Sequence, residues 1–294
     1  MNKPRHQMGV ALLSVLMITA LVVLVVSNIL ARQRFNLHSS ANLQTQQTLW
    51  QLALSGEVLA QQRLLEDARS EGGLLMTHLG QKWAQNAPVL DIDGAIIHVR
   101  LEDLSARLNL NSLSQGNNRT QRARYQRLLA QQGISAHDPA ILFNQSSSNR
   151  LGDISELRQL PHVNRTALQQ LTPLVAAFDT SSININTAPA EILACIEGID
   201  PATARTLAKS RPAKGYPSLE AFLSNPMLQG RDINPSGLGV SSRQFRATVT
   251  VDSQQQRLSL VSDLSLIDNH TVQVRQRTLL RAPAVTNPQA DKPK

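Results

Sequence analysis

From Val10 to Ala31 the chain runs for 22 residues without a formally charged side chain, and this stretch constrains the fold more than any other feature of its 294 residues. At 1.5 Å per residue a helix of that length covers about 33 Å, against a hydrocarbon core of roughly 30 Å. Lys3 and Arg5 precede the run and Arg32 and Arg34 follow it, so flanking charge sets no orientation. A cleaved secretory signal has an apolar core of about 7–15 residues and a small-residue site after it. This run is longer, and Ile29-Leu30-Ala31 is a poor match to A-x-A. A plain signal anchor is one remaining reading; a cut on the N-terminal side of the run, directly after Gly9, is the other.

The charge balance argues against a dedicated nucleic-acid groove. The net charge of +8 falls to +6 (27 basic against 21 acidic residues) once Lys3 and Arg5 leave with a leader, and the arginines are dispersed. Aromatic residues make up 3% of the chain, too few for a base-stacking surface. Cys195 is the one cysteine, so no intramolecular disulfide and no cysteine-based zinc site can form, and a buried apolar thiol is its expected state.

No proline occurs between Pro4 and Pro88, and residues 44–68 are rich in Leu, Ala, Gln and Glu, all good helix formers. Trp50, Leu54, Val58 and Leu65 recur at steps of four and seven and define an apolar face, widened by Leu52, Ala53 and Leu59. The pattern predicts one long helix, membrane-bound in its first half and laid against a globular body in its second, with a stop near Gly72-Gly73. A short helical piece is expected over residues 74–83. Asp93-Gly94 is a turn signal ahead of the β-prone Ile96, Ile97 and Val99, and the alternation Leu108-Asn109-Leu110-Asn111 reads as a half-buried strand.

Residues 114–119 read as a loop, and helical segments are expected from there to about Leu223. One covers residues 121–132 and closes at Gly133; two more are expected over residues 153–160 and 166–178. Residues 224–240 read as a linker. Arg243–Val251, Arg257–Ile267 and Thr271–Leu280 then alternate apolar and polar residues, as an antiparallel meander with one wet face does. Residues 282–294, with three prolines, read as a disordered tail.

Residues 183–207 resemble a helix-hairpin-helix unit. An offset of 36 residues superposes Leu157, Leu160, Val163 and Leu171 on Leu193, Ile196, Ile199 and Leu207, as two tandem copies would. DNA-binding members have Gly-hydrophobic-Gly at the hairpin, whose backbone N–H groups receive a phosphate. This chain has His162-Val163-Asn164 and Gly198-Ile199-Asp200, so both copies lack the second glycine. A carboxylate at Asp200 would repel a phosphate by roughly 4 kcal/mol at ~4 Å and an effective dielectric near 20. A structural helical module is the better reading, with a membrane-anchored DNA-binding protein as the alternative.

There is no Gly-rich phosphate loop, no metal-spaced His/Cys set and no G-x-S-x-G elbow, so no catalytic residue, cofactor or metal site is expected and the chain does not read as an enzyme. Surface carboxylates leave calcium open as a ligand, though no spacing matches a dedicated calcium loop.

The short basic leader, the Gly9 junction and the apolar run resemble a type IV pilin-like leader. Taken whole, the chain resembles the K-type minor pseudopilins of the type II secretion system. The resemblance rests on Gly9-Val-Ala-Leu-Leu13, Leu49-Trp-Gln-Leu-Ala-Leu54, residues 102–111, Asp153-Ile-Ser-Glu-Leu157 and Ile185-Asn-Thr-Ala188. It implies an α+β fold: a long N-terminal transmembrane and amphipathic helix on an antiparallel pseudopilin sheet, with a large inserted all-α domain holding the two hairpin units. The corresponding divisions are a leader (1–9), a transmembrane segment (10–31), a pseudopilin body (32–112 and 241–281), an inserted helical domain with its linker (113–240) and the tail (282–294). It further implies cleavage by prepilin peptidase between Gly9 and Val10, and it allows N-methylation of Val10. Most pilins carry Glu at the fifth mature position; this chain has Ser14, as the K-type resemblance implies. The implied setting is the bacterial inner membrane, single-pass, with the body in the periplasm. There the chain would sit at the pseudopilus tip with the I- and J-type minor pseudopilins and other pseudopilins, help start assembly and export of folded proteins, and bind no nucleic acid. The helix around Trp50, Leu54, Val58 and Leu65 would pack against partners.

Overall fold

The structure, a computed structural model, describes residues 7–281 apart from residues 71, 86, 115–118, 144–148, 180–181 and 254–255. The tail expected over residues 282–294 and most of the leader and of the 114–119 loop lie outside the described residues. The chain divides into two compact units, Met1–Leu52 and Ala53–Lys294. One helix, α1 (Gln7–Arg69), begins in the first and ends in the second. In the first unit the large apolar side chains from Leu12 to Leu30 are exposed, and the helix is long and apolar enough to cross a membrane.

The second unit is built on a five-stranded sheet. Its first strands are β1 (Leu90–Ile92) and β2 (Ala95–Asp103), joined by the two-residue turn Asp93-Gly94. Both turn residues have positive φ (52° and 78°), the backbone that matches strand twist and that Asp-Gly adopts readily. The chain then leaves the sheet for about 140 residues. This excursion holds β3 (Leu108–Asn109), α2 (Arg119–Gln131), α3 (Ala140–Phe143), α4 (Arg165–Leu171), β4 (Val175–Ala176), β5 (Ile183–Asn184), α5 (Ala190–Leu193), α6 (Pro201–Lys209), α7 (Leu219–Leu223) and β6 (Leu238–Gly239). The chain returns as β7 (Gln244–Ser253), β8 (Gln256–Leu266) and β9 (Val272–Arg281). The order is β1-β2-β7-β8-β9, with every neighbour antiparallel. The register places Asp103 opposite Phe245, so the excursion starts and finishes at adjacent points of the sheet.

Ile97, Val99, Ala247, Val249, Val251, Leu260 and Leu264 form the buried face of the sheet. The C-terminal turns of α1 cross it through Gly56, with Ala53, Ala60, Leu64 and Ala68 also buried. This is not the face that bulky residues predict. Val58 is 50% exposed, while Leu54 and Leu65 are only half-buried. The buried stripe lies one residue, about 100° of helix, away from it. The reason is close approach: a Cβ at Gly56 would lie 2.5 Å from Val249 Cγ1 and 3.3 Å from Ile97 Cγ2 and Val99 Cγ2, so small residues carry the contact.

The excursion has its own core, which runs from Leu108 to Leu238 and includes the buried Cys195. It differs from an all-helical expectation by two short parallel ladders, β3 with β4 and β5 with β6. α2 ends where Gly133 takes a positive φ of 65° and Ile134 N–H reaches Leu129 O (2.9 Å), a glycine-dependent helix stop. The helix expected over residues 166–178 ends at Leu171, ahead of Pro173, and the chain turns into β4. The helix expected over residues 74–83 survives only as a 3-10 turn at Lys82–Ala84.

Candidate processing site and assembly surfaces

Gly9 and Val10 lie in the first turns of α1, and Ser14 follows one turn on, exposed. Trp50 lies on α1 in the first unit; Leu54, Val58 and Leu65 lie on it in the second. The structure brings these last three to the flank of the helix, beside the stripe that meets the sheet.

On that stripe sits a residue the apolar pattern overlooked. Glu57 is 2% exposed, yet its carboxylate is fully engaged. Arg277 of β9 donates to it twice, at 2.8 Å each, Ser262 Oγ donates to it from β8, and Gln61 Nε2 donates at 3.3 Å. Burial raises the Glu57 pKa, but the Arg277 and Ser262 hydrogen bonds outweigh it and leave the group below its ordinary value. An acidic residue flanked by Ala53, Gly56 and Ala60 at helical spacing was the available signal.

A second polar knot joins the excursion to the sheet. Asp103, at the end of β2, is buried. Its carboxylate accepts from Ser242 Oγ and Thr187 Oγ1 (both 2.5 Å), Asn184 Nδ2 (3.0 Å) and Ser105 N–H (2.8 Å). Asn184 Nδ2 also donates to Thr77 O, and Ser242 N–H donates to Thr77 Oγ1. Burial pushes the Asp103 carboxyl up, and the surrounding donors offset this only in part. The Ile185-Asn-Thr-Ala188 motif therefore helps fasten the excursion where it departs and returns. Asn109 and Asn111, expected on a half-wet strand, are buried as well. Each amide pairs with a distant stretch of the same chain as a backbone unit would, Asn109 with Phe178 and Asn111 with Leu151.

Residues 36 apart share local features. All eight superposed apolar residues are buried in one core. His162 and Gly198, also 36 apart, both take positive φ (75° and 77°). Asn164 and Asp200 both cap the following helix, accepting from Ala167 N–H and Thr203 N–H. At the second hairpin, Arg231 donates to Gly198 O (2.7 Å), Asp200 Oδ2 (2.9 Å) and Thr203 Oγ1 (3.0 Å). Hydrogen bonds from Thr203 and then Arg231 hold the Asp200 carboxyl well below the usual carboxylate range. An anionic cap bound to the chain's own guanidinium is the opposite of a phosphate receptor. Among the described residues no group of His, Cys, Asp and Glu is arranged to hold a metal ion.

Comparison with known proteins places this architecture. Residues 183–241, which contain the Asn184–Thr187 part of the knot and the second hairpin, match the family model for type II secretion system protein K. The type II secretion system protein K of Klebsiella pneumoniae is 30% identical over 84% of this chain and 88% of its own length. That of Pseudomonas aeruginosa is 28% identical over 94% and 93%. In fold, the chain is similar to one chain of the crystal structure of the GspK-GspI-GspJ complex from the enterotoxigenic Escherichia coli type 2 secretion system. The TM-score is 0.70 at 23% identity, covering 83% of this chain and all of that one. Collinear likeness across nearly the whole length, with the family's matched region at the join of excursion and sheet, makes this chain a member of the type II secretion system protein K family, a minor pseudopilin.

Proposed function

We propose that this minor pseudopilin sits at the tip of the pseudopilus, where it helps start assembly and the export of folded proteins across the outer membrane. The observation that carries the reading is Ser14 at the fifth position after Gly9. A carboxylate there would compensate the N-terminal ammonium of a neighbouring subunit within lipid, where an unpaired charge is costly. A subunit without it suits the end of the fibre. Prepilin peptidase cuts between Gly9 and Val10, and Val10 carries the new amine, open to methylation. The apolar run then anchors the protein in the inner membrane with the body in the periplasm.

Most of the excursion, residues 113–240, serves as an inserted helical domain whose bulk limits growth above it; its paired hairpins are structural. Partners are I- and J-type minor pseudopilins, supported by the composition of the similar solved complex. The flank of α1 at Trp50, Leu54, Val58 and Leu65 meets neighbouring helices. Co-purification of the full chain with the I- and J-type subunits of its own system tests this reading. A stable complex is expected, and failure with well-folded partners would refute it. Gly9→Ala should block leader removal in cells containing the peptidase; normal processing of that variant would end the leader assignment.

A further inference from the structure

We infer that the outer edge of β2, from Val99 to Leu101, is a strand-addition site that receives one extended segment of a neighbouring pseudopilin carrying an acidic residue. The inference rests on the pseudopilin assembly proposed above. β1 pairs with β2 only at Leu90↔Ile97, Asp91↔Ile96 and Ile92↔Ala95. From His98 to Asp103, β2 is paired with β7 alone. A two-residue turn makes its flanking pair, Ile92 and Ala95, hydrogen-bonded, and strand alternation then turns the backbone groups of Ile97, Val99 and Leu101 toward the β1 side. Continued by two residues, the β1 register would set Pro88 opposite Val99. Proline has no N–H to donate, and the ladder stops. Among the described residues, no other hydrogen bond takes up the outward backbone groups of Val99 or Leu101.

This edge opens into a groove of about 590 Å³. Leu79, Trp83 and Gln85 border it on the side of the buried face, where Trp83 packs edge-on against Phe245 at 5.2 Å. Arg107 and Pro173 border it on the opposite face. Side chains thus flank the edge on both faces of the sheet. They keep the edge from pairing with a broad sheet, which is how an unprotected edge aggregates. The other edge of the sheet is guarded differently: β9 carries an extra residue, Arg275, where its register against Asp263 and Leu264 of β8 shifts. β2 has no such bulge.

Charge selects the occupant. Glu102 is shared by Arg100 (2.9 Å) and Arg107 (3.1 Å), two guanidiniums on one carboxylate. Asp103 also lines the groove but is buried within its own hydrogen-bond knot, so the outer rim, with Arg100, Arg107 and Glu102, carries an excess positive charge. An incoming strand with an acidic residue beside Arg100 completes it, and backbone hydrogen bonds to Val99 and Leu101 supply the pairing.

Residue-resolved hydrogen exchange on the full chain, free and co-purified with the I- and J-type subunits, tests this. In the free chain the amides of Val99 and Leu101 should exchange fast, while those of His98, Arg100 and Glu102, turned toward β7, are protected. In the complex Val99 and Leu101 should slow at least about tenfold, with β9 unchanged. Arg100→Glu alters a side chain 76% exposed, so it should leave the fold intact and weaken the complex at least about fivefold. Protection of both amides in the free chain overturns the inference. So does a complex in which they are unchanged, or one that Arg100→Glu leaves intact. Absence of any wild-type complex overturns the pseudopilin assembly itself, and the occupant with it.

Discussion

Replacing Gly56 by Ala sets two effects of known sign against each other. In a helix interior Ala is favoured over Gly by about 1 kcal/mol, so propensity alone predicts a more stable protein. The packing says otherwise. The new methyl would stand 2.5 Å from Val249 Cγ1, where carbon atoms prefer about 3.5–4.0 Å, so helix and sheet must part by roughly 1 Å. Val249, Ile97 and Val99 are β-branched, buried and held in adjacent strands, so their χ1 freedom is restricted. Overpacking of this kind costs about 1–3 kcal/mol, and lifting the helix also pulls Glu57 from Arg277. The expected net effect is destabilisation by about 1–2 kcal/mol, a fall in Tm of roughly 2–8 °C for a unit of this size. Thermal unfolding of the detergent-solubilised full chain, followed by circular dichroism, measures it. Val249→Ala removes the obstructing methyl, so Gly56→Ala with Val249→Ala should be less destabilised than the sum of the two single variants. An unchanged or raised Tm in Gly56→Ala would refute the close-approach argument.

Three further outcomes follow from the polar contacts. Because the Glu57 pKa is lowered in the folded state, its contribution is fully present above the unfolded value of 4.5 and is lost as pH falls through the folded value. Glu57→Gln should therefore cost about 1.5–3 kcal/mol at neutral pH and flatten the acid side of the stability profile, measured by urea unfolding from pH 3 to 7. Asp103 has the opposite sign: its raised pKa gives a contribution present below 3.8 and lost as pH rises through the folded value. Asp103→Asn removes that dependence but turns an amide against hydroxyl and amide donors, so it should cost about 2–4 kcal/mol, read as a lower urea midpoint. Asn111→Leu fills similar volume but abandons Leu151 N–H and O, and a loss of about 2–3 kcal/mol by the same assay is expected; a neutral result would refute the ladder-like role of that amide.

Much of this protein was determined locally. The apolar run, the Asp93-Gly94 hairpin, the three alternating strands β7 to β9 and the 36-residue repeat each declare themselves within a short window, through hydrophobic periodicity or turn chemistry. The repeat even carried its capping residues and its left-handed positions with it. What tertiary structure decided was the meaning of residues whose partners lie far along the chain. Periodicity ranks side chains by apolar bulk, so it chose Leu54, Val58 and Leu65; the sheet accepts the helix where it can come closest, at Gly56 and its alanine neighbours. Alternation put Asn109 and Asn111 on the wet side of a strand, and nothing nearby in sequence marks Glu57 or Asp103 as buried. Each is buried because donors or acceptors some 40 to 220 residues away complete its hydrogen bonds, and no local window contains that information. The free edge of β2 belongs to the same class, since it exists only because Pro88 ends one ladder while β7, after a 140-residue detour, supplies the other.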